Sequence, residues 1–333
     1  MGLNLNESPD EQIVLQDLAI KNNKELQSVL KELEIERKRI YLLQIQCTLF
    51  TLLSLILMIA GPFFLPLPFA FYLLPFIAFC YGCSLITKFS EGFTVFKKAY
   101  KEKLMIPLLK VIDESITLQP ESGISKADFI DSMLYSIYPD YYGSSDYVQG
   151  KIDKTEFYFS EIAAAYDLDP KQKKKSVAPI FKGIVFRADF NKNFKGTTIL
   201  SADHSRKLIV RNGHYRGATG VYIPTEKIEM ENTAFNELFN IRSTDAIEAR
   251  YLLTPLMMEK LVQLNTGSGG TIGVVFTKNT IYISFPMFFY FFEPQMSKNL
   301  LDPKTLHRDL SVVRLMCNII KELGLNTRIW GKD

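Results

Sequence analysis

Four charged side chains lie inside otherwise apolar stretches and are the first candidates for chemistry: Arg187, Asp189, Glu248 and Arg250. Removing a charge from water costs free energy unless opposite charges or hydrogen bonds compensate it. We therefore expect these four side chains to form one internal ion-pair network. Such a network either builds a polar site in the domain or fixes the packing of a sheet against a helix, and the sequence leaves both interpretations open.

Carboxylates are the members of this set that could transfer protons. Asp189 and Glu248, together with Glu161 from a third apolar stretch, are candidate acid–base groups of a hydrolase or transferase, with Arg250 as a charged neighbour. The sequence contains no recognisable nucleophile motif and no phosphate-binding glycine loop. Its three histidines have no partner at metal-ligand spacing, so we expect neither a metal nor a cofactor.

A cluster of lysines separates two apolar stretches that each have the length of a long strand. The cluster comprises Lys171, Lys173, Lys174 and Lys175. It predicts the tip of a β-hairpin, and a basic tip of this kind is either a solvated loop or a contact with anionic membrane lipid.

A long uncharged segment predicts that the chain is attached to a membrane. Residues 40–87 contain no Asp, Glu, Lys or Arg in 48 positions. A membrane-spanning helix needs about 20 apolar residues, so the segment is long enough for two. Three prolines within 62–68 cannot continue a helix. We predict a hairpin of two transmembrane helices, at about 41–61 and 69–87.

Basic residues flank the uncharged segment on both sides. They are Arg37, Lys38 and Arg39 before it, and Lys88, Lys97, Lys98, Lys101 and Lys103 after it. Because cytoplasmic flanks carry the excess of Lys and Arg, both termini should lie in the cytoplasm, and membrane lipid is an expected partner. The formal net charge of +3 is too small to indicate a nucleic-acid partner.

The segment before the membrane has the composition of one long helix. Within residues 10–40, mostly apolar side chains recur at alternating spacings of four and three. This spacing is typical of a coiled-coil seam and predicts self-association through residues 10–40. An amphipathic helix that packs on the chain's own cytoplasmic domain would show the same pattern, and the sequence does not choose between the two.

Four regions follow from these patterns. Residues 1–40 form the N-terminal helix, 41–87 the transmembrane hairpin, 88–149 a juxtamembrane helical region, and 150–333 a cytoplasmic domain. The last region is long enough to bury a core of its own.

The cytoplasmic domain mixes the two kinds of periodicity. Strand patterns at 155–166 and 179–190 predict a long hairpin, and a second hairpin is predicted within 271–286. Helices are predicted at 255–265 and 303–323. Because strands and helices come in clusters rather than in strict alternation, the predicted fold class is α+β, with an antiparallel sheet packed with helices.

An ordered series of motifs carries a family resemblance: Gly150–Glu161, Phe181–Gly196, Glu231–Phe239, Asp245–Pro255, Phe291–Pro294 and Leu325–Trp330. Over essentially its whole length, the chain resembles the bacterial membrane proteins grouped as domain of unknown function 3137. The resemblance implies a bacterial source, two membrane spans, a cytoplasmic domain and association with LemA-type membrane proteins. It implies no activity, cofactor or catalytic residue. At the hairpin tip, lysines stand where some relatives carry a histidine.

The leading interpretation is a bacterial inner-membrane protein in which a two-span hairpin tethers an α+β binding or scaffold domain in the cytoplasm. The alternative is a membrane-bound hydrolase or transferase that uses the acidic candidates named above.

Overall fold

The computed structural model describes residues 23–64, 73–169, 176–190, 193–202, 214–216, 222–268, 270–287 and 290–325. These residues divide into two compact units. We call 23–108 with 293–308 the helical unit, and 109–292 with 309–325 the sheet unit. The fold is α+β, with a long N-terminal helix and a large antiparallel sheet packed with helices, as predicted.

The helical unit is built on two long helices. Helix α1 spans Lys24–Phe64, and helix α2 spans Leu73–Ala99. The Asn23 side chain accepts the backbone N–H groups of Glu25 and Leu26, both at 3.1 Å, and so caps α1. A π-helical turn, Tyr100–Met105, follows α2 and leads into a short helix α3, Ile106–Ile112.

The two long helices pack against each other in antiparallel orientation. The rings of Phe50 and Tyr81 meet edge to face at 5.9 Å. Next to them, a Cβ at Gly82 would lie 2.7 Å from Cγ2 of Thr51, so the helices approach closely only because this residue has no side chain. Near the other end of the pair, Gly92 of α2 faces Ile40 of α1.

Both helices leave large apolar side chains exposed. They include Leu42, Leu49, Leu52, Leu53, Ile56 and Ile59 on α1, and Leu73, Phe76, Ile77 and Ile86 on α2. Among the described residues, one helical stretch, Lys24–Ile59, is long and apolar enough to cross a membrane. The prediction of two spans is therefore not confirmed.

The predicted coiled-coil face is partly buried within the chain. Leu26, Leu33 and Ile40 are buried, while residues 10–22 lie outside the described chain. The same face holds a buried ion pair, in which Arg37 donates to Glu34 at 2.8 Å. Glu34 also accepts the backbone N–H of Leu300 at 2.9 Å. These contacts lie within the helical unit, and self-association through residues 10–40 stays a prediction.

The sheet unit contains eleven described strands: β1 Thr117–Gln119, β2 Tyr141–Ile152, β3 Thr155–Asp167, β4 Val177–Asp189, β5 Thr197–Ala202, β6 His214–Arg216, β7 Tyr222–Pro224, β8 Glu226–Ile228, β9 Phe239–Ser243, β10 Gly273–Thr277 and β11 Thr280–Pro286. Nine of them form one sheet in the order β1–β2–β3–β4–β11–β10–β5–β9–β8, with every neighbour antiparallel. Strands β6 and β7 form a separate pair.

The helices of this unit begin where the sequence supplies a cap. They are α4 Lys126–Asp131, α5 Thr233–Leu238, α6 Ala246–Leu252, α7 Pro255–Gly267 and α8 Pro303–Glu322, the last of which begins in the helical unit. Ser125 caps α4 and Thr254 caps α7, because each hydroxyl accepts a backbone N–H of the first turn. Gly324, at φ 63°, closes α8 through a bond from the Leu325 N–H to the Ile320 carbonyl.

Both predicted hairpins are present. β3 pairs with β4, and β10 pairs with β11 across Lys278 and Asn279. The juxtamembrane region differs from its prediction, because its C-terminal part joins the sheet as β1 and β2 rather than forming helix. The Tyr, Gly and Ser residues of β2 carry no strong strand signal on their own, and pairing with β3 determines their conformation.

Core side chains lie on both faces of β4. Phe181 and Val185 belong to one cluster, which includes Phe129 from α4 and Val275 from β10. The alternate residues of β4, including Phe186, are also buried. A strand buried on both faces reads as a continuous apolar run, so a charged residue within it stands out.

Candidate functional site

The register of three strands aligns one charged and two aromatic side chains. Arg187 of β4 lies directly opposite Tyr158 of β3 on one side and Tyr282 of β11 on the other. Directly opposed residues in a sheet share a face, so these side chains meet. The Arg187 cluster, as we call it, consists of Tyr158, Arg187, Asp189, Thr280 and Tyr282.

Arg187 makes polar contacts on several sides within this cluster. Its Nη2 lies 3.3 Å from Oδ1 of Asp189 and 3.4 Å from Oγ1 of Thr280. Its guanidinium carbon lies 5.1 Å from the ring centre of Tyr158. The side chains of Arg187 and Asp189 are 26% and 38% exposed, so the pair is reachable from solvent.

The titration behaviour follows from this packing. Partial burial opposes the charge of Arg187, but its interactions with Tyr158, Tyr282 and Asp189 outweigh that cost and raise its pKa. Burial raises the pKa of Tyr158 and of Tyr282, while the nearby guanidinium lowers each pKa in part. The cluster therefore holds a fixed cation between neutral phenols at neutral pH.

Glu248 lies elsewhere and serves the backbone. Its Oε1 accepts the N–H of Lys195 at 3.2 Å, and its Oε2 accepts the N–H of Gly196 at 2.8 Å. Glu248 stands in the first turn of α6, where the side chain of Asp245 accepts its backbone N–H at 3.0 Å. The carboxylate thus joins the start of α6 to the segment that enters β5.

The prediction of one ion-pair network is wrong. Arg187 and Asp189 form a pair, but Glu248 binds backbone N–H groups, and Arg250 is exposed and donates to the carbonyl of Glu229 at 3.0 Å. The sequence shows charges inside apolar patterns, but it does not show that main-chain groups are the partners of two of them.

Glu161 is a buried carboxylate of β3. Its Oε2 accepts the backbone N–H of Phe291 at 3.0 Å. The ring of Phe291 packs 6.0 Å from that of Phe159, two residues along the same strand. The carboxylate therefore holds the segment after β11 against β3. An acid–base role for it would have to compete with this bond.

The four lysines predicted to contact lipid are not among the residues that the structure describes. Lys171, Lys173, Lys174 and Lys175 lie outside the described residues, so their lipid contact stays a prediction. Within the described part of the chain, no group of three or more His, Cys, Asp or Glu side chains is placed to hold a metal ion.

Sequence reasoning missed the tyrosines of the Arg187 cluster. Tyr158 could not be placed directly opposite Arg187 from the hairpin alone, because an irregularity between Ala164 and Ala165 shifts the register of the β3–β4 pair by one residue. Tyr282 could not be placed there either, since β11 joins β4 only after about ninety intervening residues.

Comparison with known proteins assigns a family to part of the chain. Residues 179–325 match the family described as "Protein of unknown function (DUF3137)". The family named from the sequence motifs is thereby confirmed over these residues, while the membrane-protein character that the resemblance implied is not. The matched segment contains Arg187, Asp189, Glu248 and Arg250.

Other comparisons add little. No curated protein matches the chain. Among solved structures, the crystal structure of the mycobacterial trehalose monomycolate transport factor A, TtfA, aligns with 62% of this chain and 88% of its own, at 10% identity and a TM-score of 0.31. A likeness at this TM-score carries no argument about fold or function.

Chemically, the described site is better suited to binding than to proton transfer. Glu248 and Glu161 accept backbone hydrogen bonds, and Asp189 is paired with Arg187. The guanidinium of Arg187 is partly exposed and lies beside phenol rings, and arginine is a side chain suited to binding planar anionic groups.

Proposed function

We propose that this chain is an inner-membrane protein of bacteria that presents its sheet unit as a binding or scaffold domain at the cytoplasmic face. In this proposal α1 and α2 cross the bilayer as a two-span hairpin, and both termini lie in the cytoplasm. The family match is compatible with this role but names no activity.

The observation that carries the proposal is the outer surface of the α1–α2 pair. Exposed leucine and isoleucine side chains occupy α1 from Leu42 to Ile59, a rise of about 26 Å at 1.5 Å per residue. That length approaches the thickness of a hydrocarbon core of about 30 Å. Exposing this apolar surface to water would cost a large amount of free energy, whereas lipid solvates it.

The geometry of the pair supports two spans rather than one. Since the helices are antiparallel, residues 40 and 92 lie at the same end of the pair. The basic residues that flank the uncharged segment therefore gather at one end. A single basic end is the pattern of a hairpin whose two ends face the cytoplasm.

The hydrolase or transferase alternative gains no support from the described site, since its candidate carboxylates bind backbone groups or Arg187. We further propose that partners join at the cytoplasmic face: a LemA-type membrane protein, a second copy through residues 10–40, and anionic lipid at the lysine cluster. Co-expression with a LemA-type protein and co-purification in detergent would test the first of these.

Accessibility labelling tests the topology. In a chain whose four native cysteines are replaced by serine, we would introduce Leu67→Cys between the helices and, in a second variant, Lys154→Cys in the exposed turn between β2 and β3. An impermeant maleimide added to intact spheroplasts should label the first variant and reach the second only after permeabilisation. Labelling of Lys154→Cys from outside, or recovery of the chain in the supernatant without detergent, would refute the proposal.

A further inference from the structure

A groove lies between α1 and α2 at their basic end. It has a volume of about 570 Å³, and its lining includes Glu36, Arg39, Ile40 and Leu42 from α1 and Lys88 and Gly92 from α2. The groove therefore combines two cations from different helices with apolar side chains at one place.

The two cations of the groove are less tightly paired than Arg37 and Lys103. Lys103 lies 2.9 Å from Glu32, and Arg37 lies 2.8 Å from Glu34. By contrast, Lys88 is exposed and makes no hydrogen bond or ion pair with any described residue.

Arg39 is only loosely paired. Its Nη1 lies 3.9 Å from Glu36, and the two side chains are 82% and 47% exposed, so solvent weakens their attraction. Arg39 and Lys88 outnumber Glu36 by one charge. The groove thus carries a net charge of about +1, the complement of a phosphodiester.

The apolar part of the groove lies on the membrane side of Arg39. Leu42 is exposed and begins the apolar surface of α1, three residues and about 4.5 Å along the helix from Arg39. The groove is open beside Gly92, because a Cβ there would meet only Ile40, at 3.9 Å. A ligand in the groove would therefore place a charged head beside Arg39 and an apolar tail beside Leu42.

We infer that this groove binds the phosphate of an anionic glycerophospholipid, with Arg39 and Lys88 contacting the phosphodiester and Leu42 contacting an acyl chain. The inference rests on the proposed membrane hairpin, since it places the groove at headgroup depth. It goes beyond general attraction to the membrane because it names one site, formed jointly by the two helices.

Native mass spectrometry of the full chain in neutral detergent tests the inference. The probes are phosphatidylglycerol and phosphatidylcholine with the same acyl chains. The unmodified chain should retain phosphatidylglycerol more strongly. The double variant Arg39→Gln/Lys88→Gln should weaken that binding about 25-fold, at about fivefold for each cation near the lipid surface, and should weaken phosphatidylcholine binding by less, because its headgroup carries a compensating positive charge.

Two further variants distinguish binding in the groove from a general attraction of the lipid to positive charge on the two helices. Lys31→Gln/Lys98→Gln removes the same charge from the same two helices outside the groove and should retain the lipid. Gly92→Leu fills the groove, keeps every charge and should reduce retention as the double variant does.

Three results would overturn the inference: equal binding of the two lipids, full retention in both groove variants, or displacement of the lipid by millimolar inorganic phosphate. The last would show that the groove recognises free phosphate. Failure of the membrane proposal would be seen separately, as loss of the unmodified chain from the membrane fraction.

Discussion

Replacing Glu248 by glutamine distinguishes a structural carboxylate from a catalytic one. In the structure each carboxylate oxygen accepts one backbone N–H, from Lys195 and from Gly196. The variant Glu248→Gln keeps one acceptor and turns an N–H₂ group towards the other N–H. Hydrogen bonds to charged groups contribute about 1.5–3 kcal/mol each, and Glu248 is only partly buried, so we expect the free energy of unfolding to fall by about 2 kcal/mol.

Thermal unfolding of the full chain in detergent measures this loss. For a domain of this size, 1 kcal/mol shifts the Tm by about 2–4 °C, so Glu248→Gln should lower it by about 4–8 °C. Arg250→Gln is the matched control, because Arg250 is exposed on the same helix and makes a single bond to Glu229. Its Tm should change by less than half as much. An unchanged Tm in Glu248→Gln, together with loss of a measurable turnover, would refute the structural role.

Two further predictions concern the helical pair and the tyrosines. In a chain without native cysteines, Phe50→Cys with Tyr81→Cys should be joined by a short bifunctional thiol cross-linker, since the rings that the cysteines replace are 5.9 Å apart. Adding Gly82→Leu should suppress that cross-link, because a Cβ at Gly82 would lie 2.7 Å from Thr51, and an undiminished yield would contradict the packing. Burial raises the pKa of Tyr142 to about 12, so the folded chain holds this proton more tightly than the unfolded chain. Stability should therefore hold below about pH 10 and fall between pH 10 and 12. Thermal melts across this range should show a smaller fall for Tyr142→Phe, and equal falls would count against the assignment.

Much of the local structure could be read from the sequence because its causes are local. Ser125 and Thr254 have the hydroxyl side chains that favour helix N-termini, and each accepts a backbone N–H of the first turn. The β3–β4 and β10–β11 hairpins could be predicted because polar, turn-forming residues separate strands of alternating or continuous apolar residues. Gly324 ends α8 for an equally local reason, its positive φ.

The candidate site was only half predictable. Asp189 was singled out with Arg187, and the two residues do pair, since neighbouring positions on one face of a strand are close whatever the rest of the fold does. The partners of Glu248 lie 52 and 53 residues away in the chain, and the partner of Glu161 lies 130 residues away. No periodicity in the sequence encodes such distances.

The amino-acid sequence by itself determined the uncharged segment, its basic flanks, the clustering of strands and of helices, and the α+β class. These follow from hydrophobicity, chain length and backbone preferences that act over a few residues. The tertiary structure alone decided that β11 lies beside β4, that β2 belongs to the sheet, and that Glu248 and Glu161 bind backbone N–H groups. These contacts join residues far apart in the chain, and their formation depends on the packing of the whole unit rather than on any local preference.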